Sequence, residues 1–195
     1  MSAQTNFYNR FFFLYPLVDV FLQPKKKKLF DLINRLPAGR LLEIGVGNGT
    51  HFHLYQKHRV TGIEISESML NEAKKKTCPD IELHLMSGES LKFAEATFDY
   101  VVLSHVIAVA DYPEEMLKEC HRVLRTGGKL IVLNHFTPNN FLKYVDRFCH
   151  FFSKLVHLKS LFYMEDILAI RQFERVKTIS LKPFSYFKIL IFSKP

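Results

Sequence analysis

The chain has 195 residues, of which 48% are hydrophobic and 24% charged, and this composition suits one globular domain with a substantial core. The net charge of +8 favours an anionic partner, such as a nucleic acid, a phosphorylated substrate or an acidic membrane surface, with solubility as the alternative explanation. The three cysteines form no CxxC pair, which argues against a disulfide framework and a zinc site, and we expect no bound metal.

The segment 6–36 predicts two helical pieces. Within it, residues 11–16 read FFFLYP, an apolar stretch that is interrupted by Pro16 and Asp19 and followed by no small-residue cleavage site. A secretory signal needs a longer apolar region and such a cleavage site. Residues 11–22 are also shorter than the roughly 20 apolar residues that cross a bilayer. We therefore expect a cytoplasmic protein without a membrane-spanning segment.

The middle of the chain alternates between short apolar runs and amphipathic stretches. The apolar runs predict five strands, at residues 40–44, 59–65, 81–86, 98–103 and 129–133. The amphipathic stretches predict helices at residues 66–76 and 113–124. This alternation is typical of a parallel sheet with helices on both faces and right-handed crossovers.

The last third of the chain is rich in aromatic residues. Residues 139–171 predict helices, and two more strands are predicted at 173–181 and 186–192. Pro183 lies in the short connection between these strands, so we expect an antiparallel hairpin that adds the seventh strand at the sheet edge.

The strongest motif is EIGVGNGT at residues 43–50, which follows the first predicted strand. Its glycines let a ligand approach the backbone at the carboxyl end of that strand, where open α/β sheets bind ligands. The spacing is GxGxG and not the GxGxxG of dinucleotide sites, and Glu43 would repel a pyrophosphate. A carboxylate there suits S-adenosylmethionine, which has an ammonium group and no phosphate. An NAD site or a structural glycine turn is the alternative.

A second acid, Glu64, ends the next strand, where it can accept both hydroxyls of a ribose. Together with the ExGxGxG motif and the stretch RVLRTGGKL at residues 122–130, it resembles the class I S-adenosylmethionine-dependent methyltransferases over nearly the whole chain. The resemblance implies S-adenosylmethionine as cofactor and S-adenosylhomocysteine as product. It also implies cofactor contacts from Glu43, Gly45, Gly47, Gly49, Glu64, Ile65, Ser87, Gly88, Glu89, Ser104 and His105.

Ser87 stands where this family usually has an acid that contacts the adenine, so the Ser87 hydroxyl or Glu89 is expected to replace it. The resemblance further implies a Rossmann-like, seven-stranded, mostly parallel sheet with an antiparallel last strand and an N-terminal helical lid. In this scheme one domain spans residues 1–195 and has three parts. They are the lid, the cofactor-binding core and a closing segment that contacts substrate and membrane, over residues 1–36, 37–138 and 139–195.

Three further motifs resemble the soluble bacterial phosphatidylethanolamine N-methyltransferases and related quinone methyltransferases. They are YNRFFFLY at residues 8–15, Asn134-His135 after the fifth strand, and LKPFSYF at residues 181–187, the last of which favours a phospholipid acceptor. An ammonium group must lose a proton before it accepts a methyl group, so the catalytic residues are expected to be Tyr8, Tyr15, His105 and His135. Arg10 or a nearby lysine is expected to hold the phosphate, and Phe11 replaces the tryptophan of the relatives.

Residues 139–158 interleave aromatic and basic side chains at helical spacing, among them Lys143, Arg147 and Phe148. Such a helix is typical of a membrane interface, although a helix packed on the sheet is the alternative. We expect a monomer at the inner face of the membrane, with a membrane phospholipid as substrate. No base-flipping motif supports a nucleic-acid partner. A quinone or other small hydrophobic acceptor, and a non-catalytic lipid-binding module of the same fold, are the alternative functions.

Overall fold

The computed structural model describes residues 26–135, 164–181 and 187–195. Most of the predicted lid, the predicted interfacial helix and the centre of the LKPFSYF motif therefore lie outside the described residues. Of the lid, a single helix is described, α1, at residues 26–33.

Seven strands form one sheet in the spatial order β3-β2-β1-β4-β5-β7-β6. In chain order they are β1 (Arg40–Ile44), β2 (Arg59–Glu64), β3 (Ile81–Leu85), β4 (Phe98–Ser104), β5 (Leu124–His135), β6 (Glu174–Ser180) and β7 (Phe187–Ser193). The first five pair in parallel, and β7 is antiparallel to both of its neighbours. The predicted Rossmann-like, mostly parallel sheet with an antiparallel last strand is confirmed.

The seventh strand does not lie at the sheet edge, so that expectation was wrong. β7 is inserted between β5 and β6, and β6 forms the edge. The physical reason is visible in the two sequences. The centre of β7, ILIF, is buried and gains from a strand on each side, whereas β6, ERVKTIS, is exposed at nearly every position and tolerates an edge.

Helices cover both faces of the sheet, as predicted. On one face, which we call the α3 face, α3 (Pro113–Val123) packs Met116 and Leu117 among strand residues such as Leu42 and Leu103. On the opposite α1 face, α1 packs with strand residues such as Leu41 and Val102, and α2 (Glu67–Lys74) adds Ala73. Alternate residues of each buried strand thus supply the two cores.

The segment predicted as helix over residues 139–171 is described only at its end. That part forms two 3-10 turns, Met164–Asp166 and Leu168–Gln172, and not an α-helix. Their buried residues, Met164, Ala169 and Ile170, pack on the α3 face. Across the described ranges, no helix is both long and apolar enough to cross a membrane.

The parallel strands bring their carboxyl ends to one edge of the sheet. β1, β2, β4 and β5 end there at Ile44, Glu64, Ser104 and His135. The loops that follow these strands carry most of the residues singled out from the sequence, so this edge is the place where a ligand site is expected.

Candidate active site

The glycine loop after β1 adopts a backbone that favours glycine. Gly45, Gly47 and Gly49 all adopt positive φ angles, of 76°, 58° and 70°. A Cβ atom on Gly45 would lie 2.4 Å from Cγ2 of Val106, so no larger residue fits between β1 and the segment after β4. The backbone N–H of Gly45 donates to the carbonyl of Ile63 at 2.8 Å, which fixes the loop on β2.

Glu43 lies at the base of this loop and is 1% exposed. Its Oε2 atom accepts hydrogen bonds from Nε2 of His51 and from the hydroxyl of Tyr55, both at 2.9 Å. Its Oε1 atom accepts no hydrogen bond in the described part of the chain. A buried carboxylate held on one oxygen and open on the other suits the ammonium group expected there.

His51 and Tyr55 were missed in the sequence, although both follow the glycine loop directly. The ring of Phe30, from α1, stacks on His51 and meets Tyr55 edge-on, with centroid distances of 5.2 Å and 4.8 Å. Burial, reinforced by the charge of Glu43, raises the pKa of Tyr55 well above its ordinary value. Tyr55 therefore remains a neutral hydrogen-bond donor throughout the physiological pH range.

Glu64, the predicted ribose ligand, is held by backbone N–H groups. Its Oε2 accepts from Gly47 at 2.9 Å, and its Oε1 accepts from Ile65 and Ser66 at 3.0 Å each. Burial raises the pKa of Glu64, and these three hydrogen bonds partly oppose that rise. Since a carboxylate has about four acceptor sites, one ribose hydroxyl can bond to Glu64 as it stands, and a second must displace a backbone N–H.

The predicted adenine segment, residues 86–93, uses its polar side chains within the fold. Ser87 Oγ accepts a hydrogen bond from the N–H of Glu89 at 3.2 Å, and the Glu89 carboxylate accepts from the N–H of Tyr112 at 2.8 Å, where α3 begins. A Cβ on Gly88 would lie 2.5 Å from Ile44 Cγ2, so Gly88 packs beneath β1. Ile65, by contrast, is 47% exposed and is available to cover a ring.

Arg122 holds this same segment from α3, a role that the sequence did not reveal. Its guanidinium donates to the carbonyls of Phe93 and Leu91 at 2.7 Å and 2.9 Å. It also bonds to Glu119, whose Oε2 accepts from the N–H of Leu91 at 2.7 Å. The hydrogen bond between the two side chains raises the pKa of Arg122 and lowers that of Glu119, so both groups remain charged.

The ends of β4 and β5 bring together three predicted residues, Ser104, His105 and Asn134. His105 has a φ of 63°, its N–H donates to the Leu133 carbonyl at 2.8 Å, and its ring meets that of Phe187 edge-on at 5.6 Å. Ser104 Oγ and Asn134 Nδ2 are buried and have no hydrogen-bond partner among the described residues. Buried polar atoms are nearly always paired, so each of these two atoms, which the strand alternation places on opposite faces of the sheet, is a candidate ligand contact.

The other predicted acceptor-side residues are not part of the described structure. His135 ends β5, but its side chain lies outside the described residues. The same is true of Tyr8, Arg10, Phe11, Tyr15, Lys143, Arg147 and Phe148. Their predicted roles in catalysis, substrate binding and membrane contact remain predictions.

Comparison with known proteins gives a consistent family. Residues 42–132 match a family model described as a methyltransferase domain. The chain is 35% identical over 165 residues to a phosphatidylethanolamine N-methyltransferase of Cereibacter sphaeroides, covering 80% of this chain and 81% of that protein. It is 32% identical over 106 residues to a ubiquinone/menaquinone biosynthesis C-methyltransferase of Desulfotalea psychrophila, covering 52% and 43% of the two chains.

A solved structure from Thermotoga maritima, described as a SAM-dependent methyltransferase and possible histamine N-methyltransferase, superimposes with a TM-score of 0.69. It is 26% identical and covers 96% of this chain and 100% of that one. The carboxyl edge fits the cofactor of such enzymes, because Glu43 offers an open oxygen to an ammonium and Glu64 a free acceptor site to a ribose. The chain belongs to the class I S-adenosylmethionine-dependent methyltransferases.

Proposed function

We propose that this methyltransferase N-methylates phosphatidylethanolamine at a membrane surface. The observation that carries the proposal is the length of the match to the enzyme from Cereibacter sphaeroides. That match spans 165 residues and extends well beyond the methyltransferase domain at residues 42–132. The match to the quinone-pathway C-methyltransferase spans 106 residues. Similarity outside the cofactor-binding core favours a shared acceptor as well as a shared cofactor.

The cofactor and the protein contribute differently to methyl transfer. When bound, S-adenosylmethionine supplies a methyl group on a sulfonium centre with a neutral leaving group. The chain must hold the acceptor amine in line, keep water out and leave the nitrogen lone pair free. An amine that arrives as an ammonium ion needs a base, and each further methylation needs one again.

The residues at the ends of β4 and β5 suit this task. Asn134 Nδ2 is a buried donor and can hold a phosphate or ester oxygen of the acceptor. Ser104 Oγ can accept a hydrogen bond from the amine. His105 lies beside Ser104 on a constrained backbone and is our proposed base, with His135, Tyr8 and Tyr15 as the further catalytic residues.

The proposal extends to the membrane. We propose that Arg10 and Phe11 contact the lipid head group and that Lys143, Arg147 and Phe148 hold the enzyme peripherally at an anionic inner membrane face. The net charge of +8 supports this arrangement, because cations near an anionic surface are attracted to it. We further propose that the enzyme acts as a monomer and binds no nucleic acid.

Incubation with labelled S-adenosylmethionine and vesicles tests the acceptor. Phosphatidylethanolamine vesicles should yield labelled lipid, and phosphatidylcholine vesicles should not, because their nitrogen has no lone pair left to methylate. Label in an added demethylated quinone, with unlabelled phospholipid, would establish the quinone alternative. Binding of both S-adenosylhomocysteine and vesicles without methylation of either acceptor would favour a non-catalytic lipid-binding module.

The proposed base can be tested without disturbing the backbone. Asparagine is one of the few residues enriched at positive φ, so His105→Asn should preserve the fold and cofactor binding. Loss of a general base typically lowers kcat by about a hundredfold or more. The pH–rate profile should also lose the limb that reports the base. An unchanged profile in a folded His105→Asn variant would assign the role to another residue.

A further inference from the structure

A groove of about 470 Å³ lies on the α1 face, between α1 and the strands β5, β7 and β6. It is separate from the glycine loop and from the ends of β4 and β5. Its volume falls within the roughly 300–1,000 Å³ of ordinary ligand sites. Its floor is aliphatic and includes Leu32 of α1, Ile131 of β5 and Ile179 of β6.

Basic residues surround this aliphatic floor. Among the described residues, Lys28, Arg35, Lys129 and Lys177 line the groove, against a single acid, Asp31. Lys28 donates to the carbonyl of Leu181 at 2.9 Å and so fixes the start of α1 to the end of β6. The side chains of the other three cations form no ion pair or hydrogen bond in the described part of the chain, so their charge is not neutralised there.

A bulge in the edge strand β6 adds to the aliphatic surface of the groove. The pairing of β6 with β7 shifts register between Arg175 and Lys177, which leaves Val176 as the extra residue. Val176 and Lys177 both line the groove, although adjacent residues of a regular strand point to opposite faces. Val176 is 58% exposed there. Lys177 shares the face of Ile179 by ordinary alternation, so the bulge adds the exposed aliphatic side chain of Val176 to the surface that already carries this cation.

An aliphatic floor with a basic rim matches an anionic amphiphile. No aromatic side chain of the described ranges lines the groove, which argues against stacked nucleic-acid bases. A zwitterionic lipid would leave the surplus positive charge unmatched. From the Lys28–Leu181 contact the groove runs along the α1 face to Lys129, which lies in the amino-terminal half of β5.

We propose that this groove is a second lipid site, distinct from the methyl-acceptor site, that binds the head group and upper acyl chain of an anionic phospholipid. Occupied by such a lipid, it seats the α1 face on an anionic membrane. The inference rests on the proposed function only in placing the enzyme at a lipid surface, and a quinone acceptor would leave it unchanged.

Co-sedimentation of the full chain with vesicles tests the groove. Phosphatidylcholine vesicles with and without phosphatidylglycerol are compared for the wild type and for the triple variant Arg35→Gln, Lys129→Gln, Lys177→Gln. The matched control is Lys57→Gln, Lys74→Gln, Arg171→Gln, which removes three exposed cations that form no ion pair or side-chain hydrogen bond within the described ranges. Each cation at an anionic surface contributes roughly fivefold in partitioning, so the groove variant should lose on the order of a hundredfold.

The control variant should lose only a few-fold, through net charge. Equal losses in both triple variants, or wild-type binding by the groove variant, would overturn the proposal. Val176→Asn tests the acyl contact without a core substitution and should weaken binding to the anionic vesicles roughly fivefold. Unchanged binding by Val176→Asn would overturn the acyl-chain part of the proposal.

Two further measurements distinguish an anionic-lipid site from a soluble-phosphate site and from the methyl-acceptor site. Release of the protein from vesicles by millimolar glycerol phosphate would overturn the lipid assignment in favour of a soluble phosphate ligand. Methylation of detergent-dispersed phosphatidylethanolamine should be the same for the groove variant and the wild type. If the wild type binds anionic vesicles through the groove but methylates no phospholipid, the acceptor proposal fails and the groove proposal stands.

Discussion

Tyr55 donates its hydroxyl hydrogen to the same oxygen of Glu43 that Nε2 of His51 contacts, and both distances are 2.9 Å. The carboxylate expected to bind the cofactor ammonium is thus oriented by two side chains of one short turn. Phe30 of α1 packs on both rings. The orientation of Glu43 therefore depends on α1, which is the described part of the predicted lid, and not on the glycine loop alone.

Tyr55→Phe should weaken cofactor binding. The substitution keeps the ring that packs on Phe30 and removes one hydrogen bond to a charged group, which is worth about 1.5 kcal/mol. We expect the Kd for S-adenosylhomocysteine, measured by titration calorimetry, to rise about tenfold. Tyr112→Phe is the control, because Tyr112 is 66% exposed and should tolerate the change. An unchanged Kd in Tyr55→Phe would show that His51 alone orients Glu43.

The same variant should alter stability at alkaline pH. Burial raises the pKa of Tyr55 in the folded chain, so above about pH 10 the unfolded chain loses this proton and the folded chain keeps it. The folded state then binds more protons, and its stability falls as the pH rises, by up to about 1.4 kcal/mol per pH unit. Urea unfolding between pH 9 and 11 should show a steeper loss in the wild type than in Tyr55→Phe. If the free energy of unfolding falls equally with pH in the two proteins, the pKa of Tyr55 is not raised by folding.

Much of the fold could be predicted because buried parallel strands are apolar on both faces and appear as short runs. β1, with Leu41 and Leu42 both fully buried on opposite faces, is such a strand. The position of β7 was predicted wrongly because a hairpin alone is compatible with either strand at the edge, and the difference between the polar β6 and the apolar β7 is the signal that distinguishes the two arrangements. Its place follows from tertiary pairing, where β5 bonds to β7 from Lys129 to His135.

Features of the site that depend on the local sequence could be predicted, and features that depend on contacts between distant segments could not. Positive φ at Gly45 and Gly49 follows from the tight loop that GxGxG specifies. The partners of Arg122, by contrast, are the carbonyls of Leu91 and Phe93, about 30 residues away in sequence. Every residue has a backbone carbonyl, so the sequence does not indicate which carbonyls Arg122 will contact. That contact can be identified only from the packing of α3 in the structure.

Gly45→Ala should destabilise the glycine loop far more than Gly127→Ala destabilises its own turn. Both glycines have a φ near 75°, so both variants incur the left-handed strain of about 1 kcal/mol. A Cβ at Gly127 meets nothing within 4 Å, whereas at Gly45 it meets Val106 at 2.4 Å. We expect Gly45→Ala to lose about 3 kcal/mol in urea unfolding and at least tenfold in cofactor affinity. Equal losses would mean that the contact with Val106 relaxes freely.

Arg122→Lys should loosen the adenine segment. Lysine keeps the charge but cannot reach two carbonyls and Glu119 in the planar arrangement of a guanidinium. We expect a loss of about 2 kcal/mol in stability and a several-fold rise in KM for S-adenosylmethionine. Lys118→Ala is the control, because it breaks an exposed pair with Glu115 on the same helix and should change stability by about 0.5 kcal/mol or less. Similar effects of the two substitutions would contradict the role of Arg122 in holding the adenine segment.

Asn134→Leu should separate activity from stability. Asn134 is 1% exposed and its Nδ2 has no partner among the described residues, so a leucine of similar size removes a buried unpaired donor. Unfolding free energy should stay level or rise by about 1 kcal/mol, because the desolvation penalty of that donor disappears. Methyl transfer should fall at least tenfold while the Kd for S-adenosylhomocysteine stays constant, because the substitution removes a hydrogen bond to the methyl-accepting substrate and none to the cofactor.

The same substitution at Asn34 is the matched comparison. Asn34 donates through Nδ2 to the carbonyl of Leu54 at 2.8 Å, away from the carboxyl edge. Asn34→Leu removes the unpaired Oδ1 of Asn34 but leaves that carbonyl without its donor, and the second effect dominates, so stability should fall by about 1–3 kcal/mol while turnover of the folded fraction is unchanged. If Asn134→Leu loses activity and keeps its stability while Asn34→Leu does the reverse, Asn134 contributes to substrate binding at a cost in stability. If Asn134→Leu instead destabilises the fold as Asn34→Leu does, Asn134 is structural and the acceptor must be held by other residues.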